Sequence, residues 1–269
     1  MYAGTTFNRS SGNVIGVHQK IDRTARKLLT GLLPPGAFFP TIRPILHFEG
    51  NNGPDAIKRK SPSRDEPWHY IDPKNPDDNN LIHLINDHVI NLGRALRSDN
   101  HERAAFEAAW LAHAIVDGLT PAHHYPLNDK IEELWGKPHH ERTTIKDKNI
   151  IKGDNRRDSL SKNWQYWGFG GIFTAHLAFE LGVASTITPR VYSNGGPTAE
   201  DIDRLHQNGF EVVFIDAVHR IAELDIFNEF SRTGWTRRLA VKTRKVLIPT
   251  IVNTVCLAWY AAAQPEEVT

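Results

Sequence analysis

Apolar residues recur at helical spacing along seven stretches of the chain, 14–31, 79–98, 101–117, 121–135, 170–186, 199–230 and 236–262, and the alternating runs that a strand needs are nearly absent. This pattern predicts an all-α, multi-helix fold. It is not interrupted by an internal repeat, a low-complexity tract or a shift in composition, and 269 residues, 40% of them hydrophobic, suffice for one large core. A single domain over 1–269 is therefore expected. Two segments lack the periodicity: 33–78, rich in Pro, Gly, Asn and Asp, and 136–168, which ends in the aromatic cluster Trp164, Tyr166, Trp167. Segments of that length inside a compact domain serve a site or are mobile, so both are expected as loops.

Lys and Arg number 32 against 31 acids, so no overall field draws a polyanion or an anionic membrane to the whole surface. The single cysteine, Cys256, excludes an intrachain disulfide and any cysteine-rich metal site, which leaves nitrogen and oxygen donors; there are 14 histidines. The first ten residues lack the basic start and apolar stretch of a secretory signal, so the expectation is a cytoplasmic protein, or a secreted one if its start was processed or exported by another route. The most apolar stretch, 246–263, is interrupted by Pro249, Asn253 and Thr254 and reads as a buried helix, with no transmembrane segment expected.

The pattern His-x3-Asp/Glu puts two potential ligands one helical turn apart on one face. It occurs five times: His18/Asp22, His83/Asp87, His113/Asp117, His176/Glu180 and His219/Glu223. Exposed pairs of this kind are common, so the company each keeps decides. Phe106 and Trp110 precede His113 and Asp117 at i, i+4, i+7, i+11, and Phe169 and Phe173 precede His176 and Glu180 in the same register. Such a stripe faces the core, where an ionised carboxylate is costly unless a cation or metal compensates it. The stripe of His219/Glu223 contains Asp216, and that of His83/Asp87 begins at Pro76 and Asn80, so both are assigned to solvent.

After Asp117 the chain reads Gly-Leu-Thr-Pro-Ala-His-His. Gly118 can stop one helix, Thr120 can cap the next and Pro121 suits its first position, which would deliver His123 near Asp117. Upstream, Gly-Pro-Asp at 53–55 and Trp-His-Tyr-Ile-Asp at 68–72 offer a further carboxylate and imidazole.

These residues resemble the zinc-dependent phospholipase C and P1/S1 nuclease superfamily, all-helical proteins that hold three zinc ions in one cleft. The segment from His113 to His123 is similar to the family's His-x3-Asp-x5-His core. His176-Leu-Ala-Phe-Glu180 is similar to the corresponding phospholipase helix, where the nuclease branch usually ends in Asp. Asp55 and His69 resemble the pair that completes the first zinc site, and the helix from His18 the one that supplies a histidine to the third. The resemblance implies that Asp55, His69, His113 and Asp117 hold one zinc; that His123, His176 and Glu180 hold a second; and that His18, with Asp117 as a bridging carboxylate, holds the third. Secreted members bind the third zinc through the amine and carbonyl of an N-terminal tryptophan, and no tryptophan precedes Trp68 here, so two zincs are expected more firmly than the third. The stretch from His123 to His176 is also longer than in bacterial phospholipases, so 136–168 is expected to reshape the cleft mouth.

The activity implied is zinc-dependent phosphodiester hydrolysis by a monomer, phospholipase C-like on phospholipid head groups. The alternatives are single-strand nuclease or 3'-nucleotidase action on nucleic acid, and a zinc-stabilised protein without catalysis. Asp55 is the candidate general base. Trp164, Tyr166 and Trp167 are candidates to receive a head group or stack on a base, or else to anchor the loop by packing. Lys146, Lys148, Lys152, Arg156 and Arg157 read as a solvated loop surface with interleaved acids, or as a contact for phosphates or a membrane.

Overall fold

Alanine decides where the centre of the bundle lies. In the computed structural model, which describes residues 1, 16–49, 52–60, 68–124, 127–138, 141, 144–188 and 192–264, the helix His101–Gly118 buries alanine at 104, 105, 108, 109, 112 and 114. Side chains that small let neighbouring helices approach closely on several sides. Numbered in chain order this helix is α5, and it contacts α1 (Val17–Leu29), α2 (Ile42–His47), α4 (Asn80–Arg97) and α13 (Ile248–Ala263). The remaining helices are α3 (Pro54–Lys60), α6 (Leu127–Trp135), α7 (Ile145–Asn149), α8 (Arg156–Trp167), α9 (Ile172–Ile187), α10 (Ala199–Ala222), α11 (Ile226–Thr233) and α12 (Arg237–Lys242). The fold is all-α, as the periodicity predicts, and no strand occurs among the described residues.

α4 and α5 form a hairpin whose turn places Asp99 in the left-handed region (φ 52°), and the Asn100 side chain caps α5 by accepting from the Arg103 amide at 3.1 Å. α13 is buried along most of its length, and Trp259 donates its indole N–H to the Ala108 carbonyl at 2.9 Å, tying the two central helices together. Two stretches, Arg156–Ile187 and Arg237–Ala263, are long and apolar enough to cross a membrane by length and composition; the second is the core helix just described, and the first is broken by the turn between α8 and α9.

The predicted run 121–135 divides into a 3₁₀ turn, Pro121–His123, and α6. The run 199–230 kinks at Gly209 (φ 76°) and breaks between α10 and α11. The run 236–262 passes through a π-helical turn, Thr243–Leu247, which lets the chain bypass the clash that Pro249 would cause with a carbonyl one turn back. Both segments expected as loops contain helices, α2 and α3 in the first and α7 and α8 in the second. Their periodicity was hidden because they are short or, in α8, because the apolar residues point outward. α8 starts at Asn155, whose side chain accepts from the Arg157 and Asp158 amides at 3.0 Å each. It turns Asn163 and Tyr166 inward, where Tyr166 joins Ile131, Trp135 and Ile151 in a small second core beside the main one.

The register of α1 against α9 is set by a lysine. The Lys20 ammonium donates to the carbonyls of Ile187, at 2.7 Å, and Thr188, satisfying the open C-terminal end of α9. The helix carrying His18 is thereby fixed against the helix carrying His176 and Glu180.

Candidate metal centre

Six segments bring the eight side chains together. α1 buries Val17, His18, Ile21, Asp22, Ala25 and Leu29 along one face, so His18 points into the protein with the apolar stripe. α5 delivers His113 and Asp117 in its last turns, and it ends against its neighbours because residue 118 is glycine: a Cβ there would lie 2.6 Å from Leu81 and 2.8 Å from Phe214. The 3₁₀ turn then sets His123. Thr120 does not cap that turn as the spacing suggested; its hydroxyl donates back to the Val116 carbonyl at 2.7 Å. His123 Nδ1–H donates to the His69 carbonyl at 3.0 Å while the Ile71 amide donates to the His123 carbonyl at 3.3 Å, which locks the 68–72 segment to the turn. α3 supplies Asp55 and α9 supplies His176 and Glu180.

The donor atoms converge. Asp117 Oδ2 lies 3.2 Å from His113 Nε2 and 3.3 Å from His69 Nδ1, and Asp55 Oδ1 is 3.9 Å from His113 Nε2. Asp117 Oδ1 lies 3.3 Å from His18 Nε2. On the other side, Glu180 Oε1 lies 3.1 Å from His176 Nε2 and 3.5 Å from His123 Nε2, and the two rings stack with centroids 4.9 Å apart. Two groups, His18/His113/Asp117 and His123/His176/Glu180, are close enough to hold a metal ion each. Asp117 stands between them, with Oδ1 3.9 Å from His123 Nδ1.

Three further residues belong to the centre, and of these only Asp22 falls in one of the His-x3-acid patterns. Glu49 is buried and its Oε1 faces Nδ1 of both His113, at 2.9 Å, and His18, at 3.4 Å. It reaches that position because the chain folds back on itself: a Cβ at residue 53 would sit 2.0 Å from the Glu49 carbonyl oxygen, so only glycine fits before Asp55. Met1 is the second. Its amine lies 2.6 Å from Asp117 Oδ1 and 3.4 Å from Glu180 Oε1, and its carbonyl oxygen 2.7 Å from His18 Nε2. The third is Asp22, buried behind Glu49. Glu49 and Met1 carry no pattern that marks them, since one follows a short helix in an irregular stretch and the other acts through its main chain. Residues 2–15, including most of the start read for targeting, lie outside the described residues.

The electrostatics suit cation binding. Burial and the Met1 ammonium push His123 down to about 3 despite Asp117, so its imidazole is neutral and free to ligate. Burial would raise Asp117 and Glu180, but the Met1 amine, together with His123 and His113 for the first and His176 for the second, holds both well below the usual carboxylate range. Burial opposes protonation of His113, and Glu49 and Asp117 overcome it and raise its pKa well above the ordinary value. Burial and the neighbouring Glu49 raise Asp22 well above the usual carboxylate range. A cation bound among these groups would compete with protons for the same donor atoms.

The donor set fits a metal ion: in each group one donor atom per residue lies within 4.8 Å of the others, and the carboxylate–imidazole separations run from 3.1 to 3.5 Å, a spacing one ion can bridge. His113 Nε2, a donor atom of the first group, is buried with Asp117 Oδ2 3.2 Å away and no hydrogen bond that satisfies it, which leaves it available to an ion. Cys256 contributes nothing, being buried elsewhere in the core with its thiol pushed up to about 12.

Other expectations fare differently. His83, Asp87, His219 and Glu223 are exposed, as assigned. Phe169 is not on the core-facing stripe of α9, because the helix starts only at Ile172 and Phe169 stands fully in solvent; Phe173 is half-buried. The aromatic cluster is split, with Tyr166 buried and Trp164 and Trp167 exposed. No family model, characterised protein or solved structure matches the chain, and the centre is therefore interpreted from its own geometry.

Proposed function

We propose that the chain is a zinc-dependent phosphodiesterase of the phospholipase C type, acting on phospholipid head groups. The observation that carries this reading is the convergence, from six separate segments, of all eight side chains that the family resemblance names. Met1 adds to it, since its amine and carbonyl stand against Asp117 and His18, the place the resemblance gives to an N-terminal tryptophan.

In this reading Asp55, His69, His113 and Asp117 hold one zinc, His123, His176 and Glu180 a second, and His18, Asp117 and Met1 the third. Zinc in such a site lowers the pKa of a water to about 7, polarises the phosphoryl group and stabilises charge on the attacking and departing oxygens. The chain's residues do the rest. Glu49 accepts from His113 Nδ1–H and faces His18, fixing both rings with Nε2 toward Asp117. Asp55 is the most exposed of the carboxylates, 22% against 12% for Glu180 and 3% for Asp117. It is thus the carboxylate most open to solvent, from which it can orient the attacking water and take its proton.

That graded exposure favours a catalytic over a purely structural site, since structural zinc sites are closed. The aromatic rings favour a lipid over a nucleobase: Trp167 and Phe173 are already in contact, with centroids 4.7 Å apart, and Tyr166 packs against both, so the cluster offers no slot between its faces. The test is hydrolysis of phosphatidylcholine and of single-stranded DNA by wild type and Asp55→Asn. The lipase reading expects cleavage of the lipid only, with turnover in the variant falling far more than zinc content. Cleavage of DNA alone would move the protein to the nuclease branch, and equal loss of turnover and zinc would make Asp55 a ligand only.

A further inference from the structure

Leu160, Trp164 and Trp167 project from one stripe of α8 at i, i+4 and i+7, and Phe169 follows in the turn to α9. They are 72%, 70%, 41% and 100% exposed. Single exposed apolar side chains are ordinary, but a contiguous group marks an interaction surface. The group extends to the preceding segment, because Trp167 donates its indole N–H to the Asn149 carbonyl at 2.7 Å and so draws in Ile150, which is also exposed.

The N-terminal end of the same stripe is basic. Arg156 and Arg157 are exposed in the first turn of α8, where the helix dipole disfavours cations, so helix stability does not account for them. Lys146 and Lys152 stand exposed on the segment before it. Between 146 and 167 the basic residues Lys146, Lys148, Lys152, Arg156, Arg157 and Lys162 outnumber the acids Asp147, Asp154 and Asp158 two to one, whereas the whole chain is balanced at 32 to 31. Two of those acids are engaged locally, Asp158 with the Asp154 amide and Lys162 and Asp147 with Thr144.

We propose that this face of α8, with the α8–α9 turn, is a docking surface for an anionic phospholipid bilayer. The aromatic end enters the head-group layer, and the basic end meets lipid phosphates, the division of labour of an interfacial amphipathic helix. The surface adjoins the candidate centre: Trp167 packs on Phe173, which lies one turn before His176 on α9. Docking therefore sets the cleft mouth against the bilayer. That orientation rests on the phospholipase reading; the bilayer contact itself does not.

The test is sedimentation of the full chain with vesicles of phosphatidylcholine, with and without phosphatidylserine, at low and high salt. It is paired with light scattering and with hydrolysis of a monomeric short-chain phosphatidylcholine. Wild type is expected to bind the anionic vesicles, more weakly at high salt. Leu160→Ala/Phe169→Ala should bind at least tenfold less with short-chain hydrolysis unchanged, and Arg156→Gln/Arg157→Gln should lose the preference for phosphatidylserine. Wild type that ignores vesicles, variants that bind like wild type, or a patch-dependent dimer in place of vesicle binding would overturn the docking surface. Patch-dependent binding without any hydrolysis would uphold it and overturn the phosphodiesterase reading alone.

Discussion

At the floor of the centre, His18 and His113 have each ring nitrogen faced by a carboxylate oxygen within 3.4 Å, Glu49 behind and Asp117 in front. At the mouth, His176 has Glu180 before Nε2 and no hydrogen-bond partner on Nδ1, and His123 has a main-chain carbonyl behind it. The donors are alike but their support is not. A ring faced by a carboxylate on both sides has one orientation, and the carboxylate behind it makes it a better ligand. A ring held on one side, on a helix whose start borders solvent, is easier to displace. In the proposed reading the difference makes the floor the half that keeps its ion and the mouth the half that exchanges one or admits substrate beside it.

Four substitutions or conditions would break or sharpen that contrast. Asp117→Ala has the largest expected effect, because Asp117 touches floor, mouth and Met1: both metal groups should empty and activity fall by about three orders of magnitude or more. Retention of full metal content by that variant would show that the two groups do not share it. His176→Ala should come next, removing about one ion per chain while the floor stays loaded; loss of all metal would mean that the halves are not separable.

Glu49→Gln should lower the metal affinity of the floor roughly 10- to 100-fold, the usual effect of losing a carboxylate behind a ligating imidazole, and leave the mouth unchanged. A competition titration with a metal indicator reads this directly, and equal weakening of both halves would contradict the assigned role.

The smallest effect concerns the metal-free protein. Burial pushes His124 down to about 4 and His123 to about 3, both below the ordinary 6.5, so the unfolded chain binds the extra protons first as the pH falls. Stability from this source is complete above about pH 6.5 and drops below it, by up to about 1.4 kcal/mol per pH unit for each histidine. His113, whose pKa is raised, contributes oppositely, but its share is already complete below 6.5. His124 donates to the Gly118 carbonyl at 2.8 Å, and His124→Gln should remove about half the slope between pH 6.5 and 4.5 in urea unfolding. An unchanged slope would place the acid sensitivity elsewhere.

What could be read in advance follows from how each residue announces itself. α1, α4, α5 and α9 show their apolar stripes in sequence because they lie against the core, and the His-x3-acid pairs of α5 and α9 stand out by sharing those stripes, whereas His18 on α1 is marked only by the family resemblance. α8 escaped notice because its apolar residues face outward and its inward side rests on Asn163 and Tyr166. Phe169 was placed on the wrong surface because a helical register was carried back past Gly170 and Gly171, where the helix has not begun. Glu49 lies in an irregular segment, and only the close pass of the chain at Gly53 shows why it points inward. Met1 enters through its amine and carbonyl, which no side-chain pattern records.

The most direct test of the central claim is the metal content of the purified chain by elemental analysis, with phosphatidylcholine hydrolysis followed before and after chelation and after zinc is restored. The expected result is two or three zinc ions per chain, with hydrolysis that disappears on chelation and returns with zinc. A chain that carries no metal, or that hydrolyses the lipid equally well after complete chelation, would contradict it.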